Sequence, residues 1–397
     1  MTARPASTRP LVWTLALLCT VSYGALYYAQ PLLAVATEHA TGWTRVQTGL
    51  AFTAALLVSA VLAPRVGRHL DQRGGRHLLS GGALCGAAAF VILALTRDYG
   101  VFLCAWLLAG LAMTLTFYEA AFTVLGQHVA GARRTRATLT VTLVAGLAST
   151  IFVPLTTLLL DTAGLRGALF GLAGLLLAVA GLAWWKVPDR EVEPASQATG
   201  PFTPDRAAWQ LAASLTLARI VTVGVGLQLA PLLLASGYRP GEAAALTGLL
   251  GLSALPGRVV FVPCLRWVGP VPLTITLMGL LAAGTGLLLS GSTALKVTGI
   301  VLFGLASGAL TLARSELLVR GYPSGLYGAV NGWLARPVNL AQALTPVLMG
   351  GLYLWTGGYR VSLLLLSGVG AVAAWLVSGV NGRTEARQSQ GARAIQK

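Results

Sequence analysis

The sequence predicts an all-α polytopic membrane protein of twelve transmembrane helices, built as two pseudo-symmetric bundles of six. Three observations carry this expectation. Mean hydropathy is +0.74, with 55% hydrophobic and 10% charged residues, whereas about a quarter of a soluble domain is charged. Apolar runs recur along the 397 residues, most of them close to the ~20 residues a spanning helix needs. The second half of the chain also repeats short elements of the first at a nearly constant offset.

The first run, residues 11–36, follows Arg4 and Arg9 and ends in Ala34-Val35-Ala36, which looks like a signal-peptidase site. A cleaved signal has an apolar core of only about 7–15 residues. This run is far longer, so it reads as an uncleaved first span. The others fall at 46–63, 78–95, 100–125, 137–160, 165–186, 208–235, 243–264, 271–290, 295–319, 326–354 and 359–380. Counting Lys and Arg in alternate gaps puts nineteen on the side of the N-terminus and six on the other. The positive-inside rule then places both termini in the cytoplasm. Short loops and the lack of a targeting peptide suit a bacterial inner membrane.

A net charge of +16 would suggest nucleic acid in a soluble protein. Here the basic residues sit in the gaps between apolar runs, so nucleic-acid binding is excluded and the bilayer is the partner. Cys19, Cys85, Cys104 and Cys264 lie inside apolar runs without paired spacing; they read as packing residues, not disulfides or metal ligands. There is no Walker loop, zinc spacing or nucleophile elbow. The sequence therefore predicts no enzyme, no cofactor, no metal and no ATP-driven pump.

The gap at 187–207 carries Pro188, Pro194, Pro201, Pro204, Asp189, Glu191 and Glu193. It divides the chain into a bundle at 1–186, a cytoplasmic linker at 187–207 and a second bundle at 208–380, followed by a tail at 381–397 read as disordered. Thr48-Gly49-Leu50 recurs as Thr247-Gly248-Leu249, and Pro64 as Pro263, both offset by 199. Gln30-Pro31-Leu32-Leu33 answers Ala230-Pro231-Leu232-Leu233, and Thr114-Leu115 with Glu119 answers Thr311-Leu312 with Glu316. Parallel repeats with a substrate site between them are a known transporter architecture.

Between the second and third runs lies a basic polar stretch, residues 63–77, with Gly67, Asp71, Gly74 and Arg76 in order. This spacing resembles the signature loop between helices two and three of the major facilitator superfamily. The resemblance implies a loop that latches the two halves on the cytoplasmic side and controls the outward-facing state. Glycines allow a tight turn and close helix approach, and the aspartate can accept from amides at a neighbouring helix start. Two positions depart from the family pattern. Its first basic position is Gly75 here, and its acid near the end of helix four is Gln127 or His128. The arginine half of the latch is then carried only if Arg73 or Arg76 substitutes. The fifth run has Gly146 and Pro154 but lacks the glycine-rich run of many proton-coupled drug antiporters.

A charge at mid-bilayer costs about 2.5–3.5 kcal/mol, so Glu119, Arg219, Arg314, Glu316 and Arg336, all within apolar runs, need a cavity or a partner. In the family fold helices one, four, seven and ten line the central cavity, and four of these charges fall there. Arg219, roughly 16 Å into the seventh run at ~1.5 Å per residue, is the expected anchor for a negative substrate group, and Arg336, about ten residues into the eleventh run, is a further substrate-binding candidate. Glu119 and Glu316 are the proton-coupling candidates, since a carboxylate in a part-dry cavity binds protons more readily. The same residues admit a structural reading, with Glu119 paired to a cytoplasmic arginine and Glu316 to Arg336 or Arg314. Tyr23, Tyr27 and Gln30 form one helical stripe, a candidate cavity wall joined by Gln228. The expected function is proton-coupled transport of a small organic solute, efflux favoured, by a monomer. A gradient-independent facilitator and a non-transporting sensor are the rival readings.

Overall fold

The computed structural model describes residues 8–188 and 202–379. The tail at 381–397 and most of the expected linker, residues 189–201, lie outside the described residues. The helices are α1 (Arg9–Tyr23), α2 (Gln30–Thr41), α3 (Arg45–Arg73), α4 (Arg76–Leu95), α5 (Tyr99–Thr116), α6 (Tyr118–His128), α7 (Gly131–Ala145) and α8 (Ala148–Lys186). After the linker come α9 (Arg206–Ala235), α10 (Pro240–Val268), α11 (Pro270–Leu287), α12 (Thr293–Gly321), α13 (Tyr327–Thr356) and α14 (Arg360–Ser378). A π turn, Gly24–Tyr28, joins α1 to α2, and no strand occurs among the described residues.

Ten helical stretches among the described residues are long and apolar enough to cross a membrane. One of them, Gly131–Lys186, is 56 residues long and contains Gly164 at φ 65°, ψ −175°. That left-handed residue breaks the helix between the expected spans 137–160 and 165–186, at a conformation only glycine adopts cheaply. The 30-residue α13 lies outside the ten. Large apolar side chains such as Trp185, Trp209, Trp267, Trp355 and Trp375 are exposed near helix ends, as expected for rings that sit at a membrane interface.

The helix starts follow local chemistry. Thr44 and Gln47 form a capping box on α3. Asp98 accepts from Val101 N at 2.9 Å at the head of α5, and Asp205 from Ala208 N at 2.8 Å at the head of α9. Each carboxylate satisfies an amide that has no intrahelical partner. Buried threonines, among them Thr114, Thr116 and Thr123, donate to the carbonyl four residues back, so their hydroxyls cost little in an apolar surround.

The chain forms two compact units. One gathers the described residues up to Phe202 with Ser324–Asn339; the other gathers Thr203–Pro323 and the described residues from Leu340 onward. The start of α13 thus packs with the first half of the sequence. Within the first unit, Gly110 of α5 lies against the Ala55 carbonyl of α3. Within the second, Gly308 of α12 lies against the Ala254 carbonyl of α10. The two contacts are related by offsets of 198 and 199, so the repeat seen in the sequence is also a repeat of backbone approach. Small residues at crossings are how membrane helices associate, because lipid removes the hydrophobic drive.

Candidate functional site: the α3–α13 crossing and its buried charges

The polar stretch at 63–77, expected as a loop, is helical through Arg73. Only Gly74, at φ 79°, ψ −177°, and Gly75 interrupt it. Arginine, glutamine and leucine are good helix formers, and a helix leaving the apolar layer gains nothing by unwinding. Gly67 and Asp71, four residues apart, therefore share one face of α3.

That face meets the first turns of α13. Gly67 touches the Gly328 carbonyl, and Gly332 sits against the Ala63 carbonyl; a Cβ at either glycine would collide with backbone. One turn on, Asp71 Oδ1 accepts from Gly328 N at 3.0 Å and Oδ2 from Ala329 N at 2.7 Å. These amides belong to a helix start, where N–H groups lack internal acceptors and the dipole favours an anion. Arg76 Nε donates to the Val187 carbonyl at 2.8 Å. Gln127, one of the two positions expected to match the family's acid, donates to the Leu70 carbonyl at 2.7 Å.

Glu119 lies beside this crossing. The fourth run, expected to be continuous, breaks at Phe117, whose ψ of −178° is extended, and Glu119 falls in the first turn of α6. Its carbonyl accepts from Asn331 Nδ2 at 3.2 Å and Thr123 Oγ1 at 2.7 Å. A small cavity here is lined by Glu119, Ser59, Thr114, Thr123 and Asn339 with the glycines of the crossing. Sequence reasoning does not find Asn331, Asn339 or Tyr327, and reads Arg134 only as part of the basic turn after the fourth run, at 131–137, which resembles the family's turn there. Their signal is weak: two amides and a tyrosine inside an apolar run, and one arginine among three in a basic turn.

Of the expected stripe, Tyr23 and Tyr27 stay together, their rings edge-to-face with centroids 6.5 Å apart, while Gln30 parts from them. The π turn places Ala29 N on Gly24 O, five residues back, which adds a residue to the turn and rotates α2 by about 100° relative to α1. Tyr23 stacks on Phe117 with centroids 3.8 Å apart, and Tyr27 contacts Tyr28 and Phe52. Gln30 instead lines a separate cavity with Thr37, Trp43, Thr48 and Trp106.

In the second unit, Arg219 is half-buried, and its side chain has no ion pair among the described residues. Gln228, nine residues on, faces the opposite side of α9, since nine steps of about 100° make a half turn. It is 5% exposed and its Oε1 lacks a hydrogen-bond partner. The two therefore do not share one wall. Glu316 is 7% exposed on an unbroken α12, and its carboxylate lies 4.0 Å from Arg320 Nε, one turn away. Arg336, on the part of α13 that belongs to the first unit, is exposed.

Comparison with curated proteins returns no match. Among solved structures, the chain is similar to the human organic anion transporter MFSD10 (TETRAN), with TM-score 0.77 and 16% identity over 94% of this chain and 99% of that one. A bacterial homologue of the iron transporter ferroportin, solved outward-facing with soaked iron, gives TM-score 0.74 and 17% identity over 96% and 99%. The E. coli fucose:proton symporter FucP gives 0.74 and 14% over 95% and 100%. At these identities the likeness is one of fold. The family model of the Major Facilitator Superfamily matches residues 13–335. The chain is a multi-pass membrane protein that belongs to the Major Facilitator Superfamily.

Proposed function

We propose that the protein is a secondary transporter with twelve spans, counting the Gly131–Lys186 stretch as two at Gly164 and adding α13. It moves a small organic solute by alternating access, with both termini in the cytoplasm of a bacterial cell. Proton coupling through Glu119 or Glu316 is the driving force we favour, and efflux the direction. The observation that supports alternating access best is the pair of bonds from the head of α13 to Asp71. They join a side chain to open backbone amides, so they can break into water and re-form without unwinding either helix. Gly67, Gly74 and Arg76 belong to the same gate.

Arg219 supports a substrate with a negative group, because an arginine without a carboxylate partner inside an apolar helix needs an anion or water. Two of the similar structures are named an organic anion transporter and a fucose:proton symporter; sharing the fold alone, they leave the substrate class to Arg219. The test is flux in proteoliposomes against a panel of organic anions and neutral sugars, with and without an imposed pH gradient. The expected result is gradient-driven accumulation of an anion that is lost in Arg219→Ala. Flux that ignores the gradient would make the protein a facilitator. Absence of flux with retained ligand binding would make it a sensor.

A further inference from the structure

The turn after α6 places one arginine where topology alone does not explain it. Arg134, in the first turn of α7, is only 6% exposed. Its guanidinium carbon stands 4.2 Å from the ring centroid of Tyr327, the first residue of α13. On another side it presses on Gly126 of α6, where a Cβ would collide with Nη1 and Nη2. Nε and Nη2 are buried without hydrogen-bond partners. A buried guanidinium whose shielded contact is an aromatic face is held by cation–π attraction, which strengthens when water is excluded. Its orphaned donors penalise the same arrangement, so separation from Tyr327 would return them to water.

We infer that Arg134 is a second gating residue: it clamps the head of α13 through the Tyr327 ring, alongside Asp71, and its unmet donors keep the clamp releasable. The inference deepens the gate reading above and rests on it. It also gives Gly126 a purpose, since glycine at that position makes room for the guanidinium. The clamp supplies a cationic contact to α13 in a chain whose first family basic position is Gly75.

The test uses the full chain in inside-out vesicles, with its four cysteines replaced by alanine and Ser59→Cys as reporter. Ser59 is buried and lines the cavity between α3, α6 and α13. N-ethylmaleimide labelling of that reporter is expected to rise about tenfold in Arg134→Ala and Tyr327→Leu, the order of one desolvated cation–π contact. Tyr327→Phe keeps the ring and removes the hydroxyl, so labelling well below that of Tyr327→Leu isolates the ring's part. Gly126→Ala displaces only the end of a flexible side chain and should raise labelling in a protein of unchanged expression and monodispersity. Arg134→Ala combined with Tyr327→Leu should match the single variants. Additive effects, or no rise in Arg134→Ala and Gly126→Ala while Asp71→Asn raises labelling, would overturn the clamp and leave the gate. No rise in Asp71→Asn together with none in Arg134→Ala would remove both.

Discussion

At the scale of single residues, the charges divide by what they can reach. Asp71 is bound to two amides, and hydrogen bonds to a charged group are worth about 1.5–3 kcal/mol each. Conformational states of one protein typically differ by a few kcal/mol, so these two bonds are large enough to set a population and small enough to be broken. Glu119 is different: it heads a short helix and lines a small cavity with Ser59, Thr114, Thr123 and Asn339. Replacing it by glutamine keeps the shape and removes the titration. Glu119→Gln should abolish concentrative uptake into acid-loaded or alkaline-loaded proteoliposomes while exchange of substrate across equal pH persists. Full accumulation in that variant would make the carboxylate structural.

At the scale of elements, the α3–α13 crossing depends on the absence of side chains. Gly67 and Gly332 each touch the opposing backbone, and overpacking a tight contact costs about 1–3 kcal/mol. Gly67→Val should therefore lower the melting temperature of the detergent-purified protein by several degrees and weaken the Asp71 bonds by pushing the helices apart. Gly81, where a Cβ would meet nothing within 4 Å, is the control, and Gly81→Ala should leave melting unchanged or raise it. Equal melting of the two variants would show that the crossing is looser than its geometry. The Gly110–Ala55 and Gly308–Ala254 contacts make a paired prediction. Gly110→Val and Gly308→Val should destabilise to a similar degree, because the repeat places both on a neighbouring carbonyl; a neutral result at one position would break that equivalence.

At the scale of the whole molecule, orientation is the premise of the mechanism. A single cysteine in place of the exposed Gln72 should react with an impermeant maleimide only in inside-out vesicles; labelling from the opposite side would invert the topology. Hydropathy and basic residues make the helices, their order and this expected orientation legible, because both signals are local: each run of side chains meets lipid or water wherever its neighbours lie. The glycine and aspartate spacing also makes Asp71 legible as an acceptor for a helix start. Its partner is not, since Gly328 and Asp71 are 257 residues apart in sequence. The π turn that rotates Gln30 off the tyrosine pair and the break at Phe117 are backbone choices made among neighbours. So is the lodging of Arg134 between Gly126 and Tyr327. The sequence by itself determined which segments are helical and apolar, because burying a backbone in lipid requires each to satisfy its own hydrogen bonds. Only the tertiary structure decided which helix ends meet and which charges are buried, because those depend on contacts no single segment contains.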